Sequence, residues 1–500
     1  MTENVNLSTG STAPADGKSL ASNTMGLSAL IFQGMGQVSP IGIFGGSILG
    51  AAAFAMGATP LAFILGMFAA LLSANTVYQY SKKVASARGY YGYVGYGLGR
   101  GTAFVTSYLY VLYQIANLCF IYAYYVLTFS PTFNYVFGTN ILNRYGLLYI
   151  ILVGIPSFAI IYFGIRPSYL SQMVFNSIQI IFVVAISFLI IATVKDNTLA
   201  VFSPAQVGWN GVFLGFITGS YLAYAGYGSI VPLGEEAKTP HRSIGIATLS
   251  LVLIISALYL LGSYAMVVGW GYNQMSTFSL SIYPGFQIIS QHFGYAPTVL
   301  FFVLNFAVVY PVYVGMATAV TRNIYSMARD GFLPRAFYGT HPRWKSPHRA
   351  LGLALLLFFL MAGIGSVAFY YAEGGFINGF FDLFLFFATA STISTLAIHF
   401  LVNSSLSVVG DPTTRSPLKY LTHYVFPVLS SLIVVVAVYY AVYTLTPPLS
   451  YSPILVAVFL VAAVAAAGAL WSRIKRTDLR HSVVPLPSSS SPGTEEAQAP

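Results

Sequence analysis

The chain has 500 residues, of which 57% are hydrophobic and 7% charged, against about 25% charged in a soluble globular domain, so a water-soluble surface is excluded. Its 22 Lys and Arg against 12 Asp and Glu give a net charge of +10. Those cations are spread over short loops and not gathered on a soluble domain, which speaks against a nucleic-acid partner and for a lipid bilayer, with anionic lipid contact a secondary role.

Residues 1–24 are rich in Ser, Thr, Asn and Gly and hold no apolar run, so they read as a disordered tail and not a signal peptide. No Asp, Glu, Lys or Arg occurs between Lys18 and Lys82, from Ser243 to Thr321, or from Tyr420 to Ser472. About 20 apolar residues cross a bilayer core of about 30 Å, so each run holds two crossings. Shorter uncharged runs at 145–165, 167–194 and 350–372 hold one each. Strands are excluded, because alternation is absent and an open sheet would leave unpaired amides in lipid.

Read with their Gly, Pro and polar breaks, these runs predict an all-α integral membrane protein of about twelve spans. They lie near 26–54, 59–80, 101–128, 145–165, 167–193, 210–233, 243–268, 297–328, 350–371, 377–402, 420–444 and 452–472. With both termini on the cytoplasmic side, only Arg144 and Lys195 of the 22 cations fall outside, as the retention of Lys and Arg in cytoplasmic loops requires. The stretch 473–500, ending in VPLPSSSSPGTEEAQAP, is a second disordered cytoplasmic tail.

Two spans make poor continuous helices. In the first, Phe32-Gln-Gly-Met-Gly-Gln-Val-Ser-Pro-Ile-Gly-Ile-Phe44 combines glycines with Pro40 at mid-span, removing a backbone donor and lowering helix propensity at bilayer depth. In the sixth, Gly219-Ser-Tyr-Leu-Ala-Tyr-Ala-Gly-Tyr-Gly-Ser229 again places flexible residues at mid-span, with aromatic faces that could pack on a ligand or meet an amine. Close helix packing is the alternative use of the same small residues. The two breaks stand five spans apart, the spacing of inverted repeats about a pseudo-two-fold axis in the membrane plane. On that spacing the two repeats would fall at about 25–193 and 210–402, leaving two further spans at 403–472.

The segment from Tyr224 through Ala-Gly-Tyr-Gly-Ser-Ile-Val-Pro-Leu-Gly to Glu235-Glu236-Ala-Lys-Thr-Pro240-His-Arg242-Ser-Ile closely resembles the sixth helix and its exit in the amino acid–polyamine–organocation permeases. Arg322-Asn-Ile-Tyr-Ser-Met-Ala-Arg329-Asp-Gly-Phe-Leu-Pro334 with His341-Pro-Arg-Trp-Lys-Ser-Pro347 resembles the eighth-helix exit, and Ala87-Arg-Gly-Tyr-Tyr-Gly-Tyr-Val94 the segment after the second helix. The resemblance covers about residues 25–472. It implies a LeuT-type fold of ten core helices in two inverted halves plus two peripheral ones, with helices 1 and 6 discontinuous, and alternating access by a carrier coupled to protons or sodium. It also implies that Ser39, Pro40, Ile41 and Gly42 meet the substrate carboxylate and that Tyr224, Ala225, Gly226 and Tyr227 meet its amino group and side chain. The Gly-Ser-Gly usual in the first helix is Pro-Ile-Gly here, and the Lys carried by some proton-coupled members in the fifth helix is missing from 169–193.

The remaining polar residues divide by position. Glu235, Glu236 and Lys238 stand at the cytoplasmic end of the sixth span, and adjacent helical residues point about 100° apart, so they suit an inner gate with Arg88, Arg329 or Arg242 and not a shared-proton dyad. Thr318 and Thr321 lie one turn apart on the eighth span, offering hydroxyls to an ion or, as is common in membranes, to their own backbone. Asp382 opens the tenth span, either as an intramembrane functional acid or hydrated at the outer interface. Cys119 reads as a core residue, and His292, His399 and His423 as isolated interfacial or satisfied histidines. No metal-ligand spacing, nucleotide loop or catalytic triad occurs, so neither an enzyme nor a cofactor is expected. Carriage of amino acids or related amines leads, with a receptor or channel on the same fold as the alternative. The pocket's lack of a carboxylate favours a neutral substrate.

Overall fold

The computed structural model describes residues 19–281, 283–409, 416–443, 447 and 449–470. The expected tails therefore lie largely outside the described residues. Within the stretch 1–24, however, Leu20 is buried and Thr24 donates its amide to the Glu236 carbonyl at 2.9 Å, as does Met25.

Ten stretches of the described chain are long and apolar enough to cross a bilayer. They give span 1 (Leu27–Val38, then a 3-10 turn Pro40–Phe44, then Gly46–Ala55), span 2 (Thr59–Ser81), span 3 (Arg100–Phe137), span 4 (Tyr145–Tyr162) and span 5 (Ile165–Thr193). Span 7 (Pro240–Trp270), span 8 (Tyr295–Ala307 with Val309–Arg329), span 9 (His348–Ala372), span 10 (Phe376–Val409) and span 11 (Pro417–Tyr420, Leu421–Val425, Phe426–Tyr443) follow. Residues 208–233 form span 6 in short pieces, and Ser452–Leu470 forms span 12. Two short helices the sequence did not announce, Tyr90–Leu98 and Pro284–Phe293, precede spans 3 and 8. Span 3 runs past its expected end at 128 to Phe137, with Pro131 held inside the helix.

Burial sorts the spans. The first arm and turn of span 1, Leu27–Phe44, are 72% buried, whereas span 11 is only 22% buried over its most apolar part. A span so wrapped is central, whereas one so bare turns its Leu, Ile and Val to lipid. Spans 3 and 10 pack along each other, as do spans 2 and 7, and span 1 lies inside them against spans 5, 6, 7 and 8.

The break in span 1 follows from three residues. The Ser39 amide makes the last α-type bond, to the Met35 carbonyl at 2.9 Å. Ser39 itself adopts φ 56° and ψ 100°, outside the helical basin, and Pro40 has no amide to continue the ladder. The chain then runs as a single 3-10 turn before the second arm begins at Gly46.

Span 6 loses its α-helix differently. It passes from α (Gly208–Gly215) through a π turn (Phe216–Ser220) and one α turn (Tyr221–Tyr224) into a nine-residue 3-10 stretch (Ala225–Leu233). The expected unwinding is thus a change of helix type, since π turns and long 3-10 runs mark departures from ordinary helix. Close packing accounts for this: a Cβ at Gly226 would lie 2.9 Å from Val38 Cγ2 and 3.1 Å from the Gln37 carbonyl carbon. There is no room for an extended loop.

Candidate substrate site at the paired helix breaks

Spans 1 and 6 lie antiparallel. The arm Leu27–Val38 packs on Ala225–Leu233, and Gly46–Ala55 packs on the π turn and on Gly208–Gly215. The Thr218 hydroxyl donates to the Gly50 carbonyl at 3.0 Å, so the two breaks are held at one depth. Of the residues expected at the carboxylate and the amine, Ser39, Pro40, Ile41, Tyr224, Gly226 and Tyr227 are buried, while Gly42 and Ala225 are partly exposed.

Breaking a helix leaves donors and acceptors without partners, and neutral side chains from neighbouring spans fill that need here. Tyr259 of span 7 donates to the Val38 carbonyl at 2.5 Å and lies 3.3 Å from that of Ser39. Gln179 of span 5 accepts from the Ser39 hydroxyl at 3.3 Å and from the Ile41 amide at 3.4 Å. Gln37, just before the break, donates to Tyr113 at 3.0 Å and to Gln114 at 3.1 Å, both on span 3. Every one of these groups is uncharged.

Tyr224 turns from the break toward spans 2 and 7, its ring against Phe63 and Tyr259. Tyr227 points to span 10, with its hydroxyl 3.4 Å from His399 Nδ1. His399, expected as an isolated histidine, is buried between Tyr227 and Tyr90.

Span 5 carries a polar stripe through an otherwise apolar helix. Ser168, Gln172, Asn176 and Gln179 recur at spacings near one turn and are all buried. Gln172 donates to the Pro311 carbonyl of span 8 at 2.7 Å, and Asn176 to the Phe32 carbonyl of span 1 at 3.1 Å. Carbonyl oxygens between spans 1 and 8 are thereby taken by side-chain amides. Thr318 lies at one end of this stripe, 3.5 Å from the Ser168 hydroxyl. Thr321 bonds back to the Ala317 carbonyl at 2.5 Å, the self-satisfied arrangement. Asp382 is partly exposed and has no hydrogen bond or ion pair among the described residues.

The charged residues gather at one end of the bundle. Arg329 pairs with Glu235 at 2.8 Å, and the Ala87 amide donates to the same carboxylate at 3.0 Å. Glu236 forms a two-pronged pair with Arg322 at 2.9 and 3.0 Å, both side chains 1% exposed. Arg88 forms another with Asp330 at 2.5 and 2.8 Å, and Tyr91 donates to the same aspartate. Burial pushes the Asp330 and Glu235 carboxyls up, but Arg88 at the first and Arg329 at the second outweigh it and hold both below the usual carboxylate range. Three corrections follow. Arg88 meets Asp330 and neither glutamate, the partner of Glu236 is Arg322, and the Lys238 side chain is exposed and outside the cluster. Arg322 and Arg329 stand seven residues apart, two helical turns, so both reach the span 6 exit from one face of span 8; that spacing was readable in the sequence.

A helical bundle with two antiparallel, broken spans at its buried centre and ion pairs gathered at one end is that of a multi-pass membrane protein. The amino acid permease family model matches residues 29–481, and the chain belongs to that family. It is 24% identical over 359 residues to the methylthioribose transporter of Bacillus subtilis (strain 168), covering 67% of this chain and 74% of that protein. It is 26% identical over 352 residues to cationic amino acid transporter 5 of Arabidopsis thaliana, covering 66% of this chain and 59% of the relative. The branched-chain amino acid permease BcaP of Bacillus subtilis (strain 168) is 26% identical over 210 residues, covering 40% of this chain and 43% of the relative. These relatives are transporters and not enzymes.

Proposed function

We propose that this permease is a secondary active carrier of neutral amino acids in the cytoplasmic membrane, working by alternating access and driven by a proton or sodium gradient. The observation that carries the reading is the break in span 1, which sits against span 6 and whose side-chain hydrogen-bond network among the described residues is neutral: Gln37, Tyr113, Gln114, Gln179 and Tyr259. At mid-bilayer a zwitterion needs donors for its carboxylate and acceptors for its ammonium, and interrupted helices supply both. A side chain bearing a further positive charge would lack its counter-charge. The neutral lining thus favours the substrate type named for the branched-chain relative over that named for the cationic one.

In this reading Ser39, Pro40, Ile41 and Gly42 hold the carboxylate, and Tyr224, Ala225, Gly226 and Tyr227 surround the amino group and side chain. The pairs Glu235–Arg329, Glu236–Arg322 and Arg88–Asp330 form the inner gate, with both termini cytoplasmic. Residues 25–402 are the transport core of two inverted repeats, and 403–472 its periphery.

The test is uptake into proteoliposomes of the twenty amino acids, common polyamines and methylthioribose, under an imposed proton or sodium gradient. The expected result is gradient-dependent accumulation of neutral amino acids. Preferential uptake of arginine, lysine or a polyamine overturns the neutral specificity, and no accumulation by folded protein overturns the carrier reading.

A further inference from the structure

The side chain of Gln179 occupies the place that the proposed function gives to a substrate carboxylate oxygen. Its Oε1 accepts from the Ile41 amide at 3.4 Å and from the Ser39 hydroxyl at 3.3 Å, two donors assigned there to the substrate. Its orientation is set from behind, because Gln179 Nε2 donates to Asn176 Oδ1 at 3.3 Å. Asn176 in turn donates to Gln172 at 2.9 Å and to the Phe32 carbonyl at 3.1 Å. With the amide nitrogen engaged along the stripe, the oxygen faces the break.

We propose that Gln179 is an internal occupant of the carboxylate position at the span 1 break, displaced by the carboxylate of an incoming substrate, and that this competition weakens the binding of amino acids while leaving that of amines unaffected. This rests on the carrier reading above. A buried amide left bare costs more than one whose bond is exchanged, so the break needs an occupant whenever the site is empty. Both contacts lie beyond the usual 2.7–3.2 Å, so the occupant is held weakly. A carboxylate accepts charge-assisted bonds about twice as strong as a neutral amide oxygen does, and the exchange runs in its favour. A ligand bearing only an amine has nothing to offer the Ile41 amide and leaves Gln179 in place.

The test measures binding of two pairs, L-leucine with isopentylamine and L-phenylalanine with phenethylamine, to purified wild type, Gln179→Met and Gln179→Asn. The Asn variant keeps the carboxamide but is one methylene too short to reach Ile41, and guards against misfolding of the Met variant. Both variants are expected to bind the amino acid more tightly, by roughly three- to tenfold, the worth of one net hydrogen bond, while the amine changes less than twofold. Weakened binding of the amino acid alone makes Gln179 a direct substrate ligand and overturns the proposal. Parallel weakening of acid and amine, or no change in either, reduces Gln179 to a structural residue and overturns it as well. Wild-type protein that binds neither pair removes the carrier reading of these breaks, an outcome distinct from the others.

Discussion

Single glycines at the two breaks do different work, and their replacement separates substrate space from helix packing. A Cβ at Gly42 would meet Ser47 Oγ at 2.7 Å, the tip of a small side chain that can rotate, and its next neighbours lie at 3.7 Å or beyond. At Gly226 the nearest atoms include the backbone carbonyl carbon of Gln37, which cannot move without the arm of span 1. Gly42→Leu is therefore expected to abolish uptake while the detergent-solubilised protein keeps its elution profile and melting temperature within a few degrees. Gly226→Ala is expected to lower the melting temperature, through overpacking of about 1–3 kcal/mol. Thermal unfolding beside uptake checks both; unimpaired uptake by the Leu variant would place the substrate elsewhere. Gln179 and Tyr259 were not legible as site residues, because a glutamine or tyrosine in an apolar span announces burial without naming its partner.

Spans 6 and 8 are tied at the charged end by pairs of unequal burial, and the inequality has a measurable consequence. Glu236 and Arg322 are both 1% exposed, whereas Glu235 and Arg329 are 25% and 23% exposed. Removing one partner of a buried pair leaves an uncompensated charge and costs roughly 3–5 kcal/mol. For the more exposed pair solvent screening reduces the loss to about 1 kcal/mol or less. Arg322→Ala should accordingly lower the melting temperature much more than Arg329→Ala, and Glu236→Gln combined with Arg322→Met should recover part of the loss; equal effects of the two Ala variants would refute the ranking. Acid tests the same elements. The Asp330 and Glu235 carboxyls are held below the usual range, so their stabilisation is complete above the unfolded carboxylate values near 4 and is lost as pH falls through the lower folded ones. Melting curves should be flat in this contribution from pH 7 to about 5 and fall below about 4, with a shallower fall in Asp330→Asn; identical acid profiles for variant and wild type would count against these carboxylates.

For the whole molecule, the proposed orientation in the membrane rests on where the cations fall and can be tested with the chain's own chemistry. Cys119 is the only cysteine and is buried, so added cysteines report their side without background. Lys238 is exposed beside the ion-pair cluster, and Lys195 is exposed beyond the end of span 5. In sealed cells a membrane-impermeant maleimide should label Lys195→Cys and spare Lys238→Cys, which should react only after permeabilisation. The reverse pattern would invert the proposed topology and place the ion-pair cluster at the outer face.

Sequence by itself determined the membrane class, the approximate places of the apolar spans though not all their ends, the break at Pro40 and the family. Each is written in local terms: runs free of charge, a residue without an amide, and a contiguous motif at 224–244. The tertiary structure decided what fills the breaks and which charges meet. Tyr259 and Gln179 reach span 1 from helices more than a hundred residues away, and Arg88 finds Asp330 across 242 positions of chain. It also decided that span 6 changes helix type instead of unwinding, because Gly226 lies against the backbone of span 1. Local propensity marks where a helix is weak, but the form it takes there depends on the neighbours that satisfy its backbone, and those are chosen by packing.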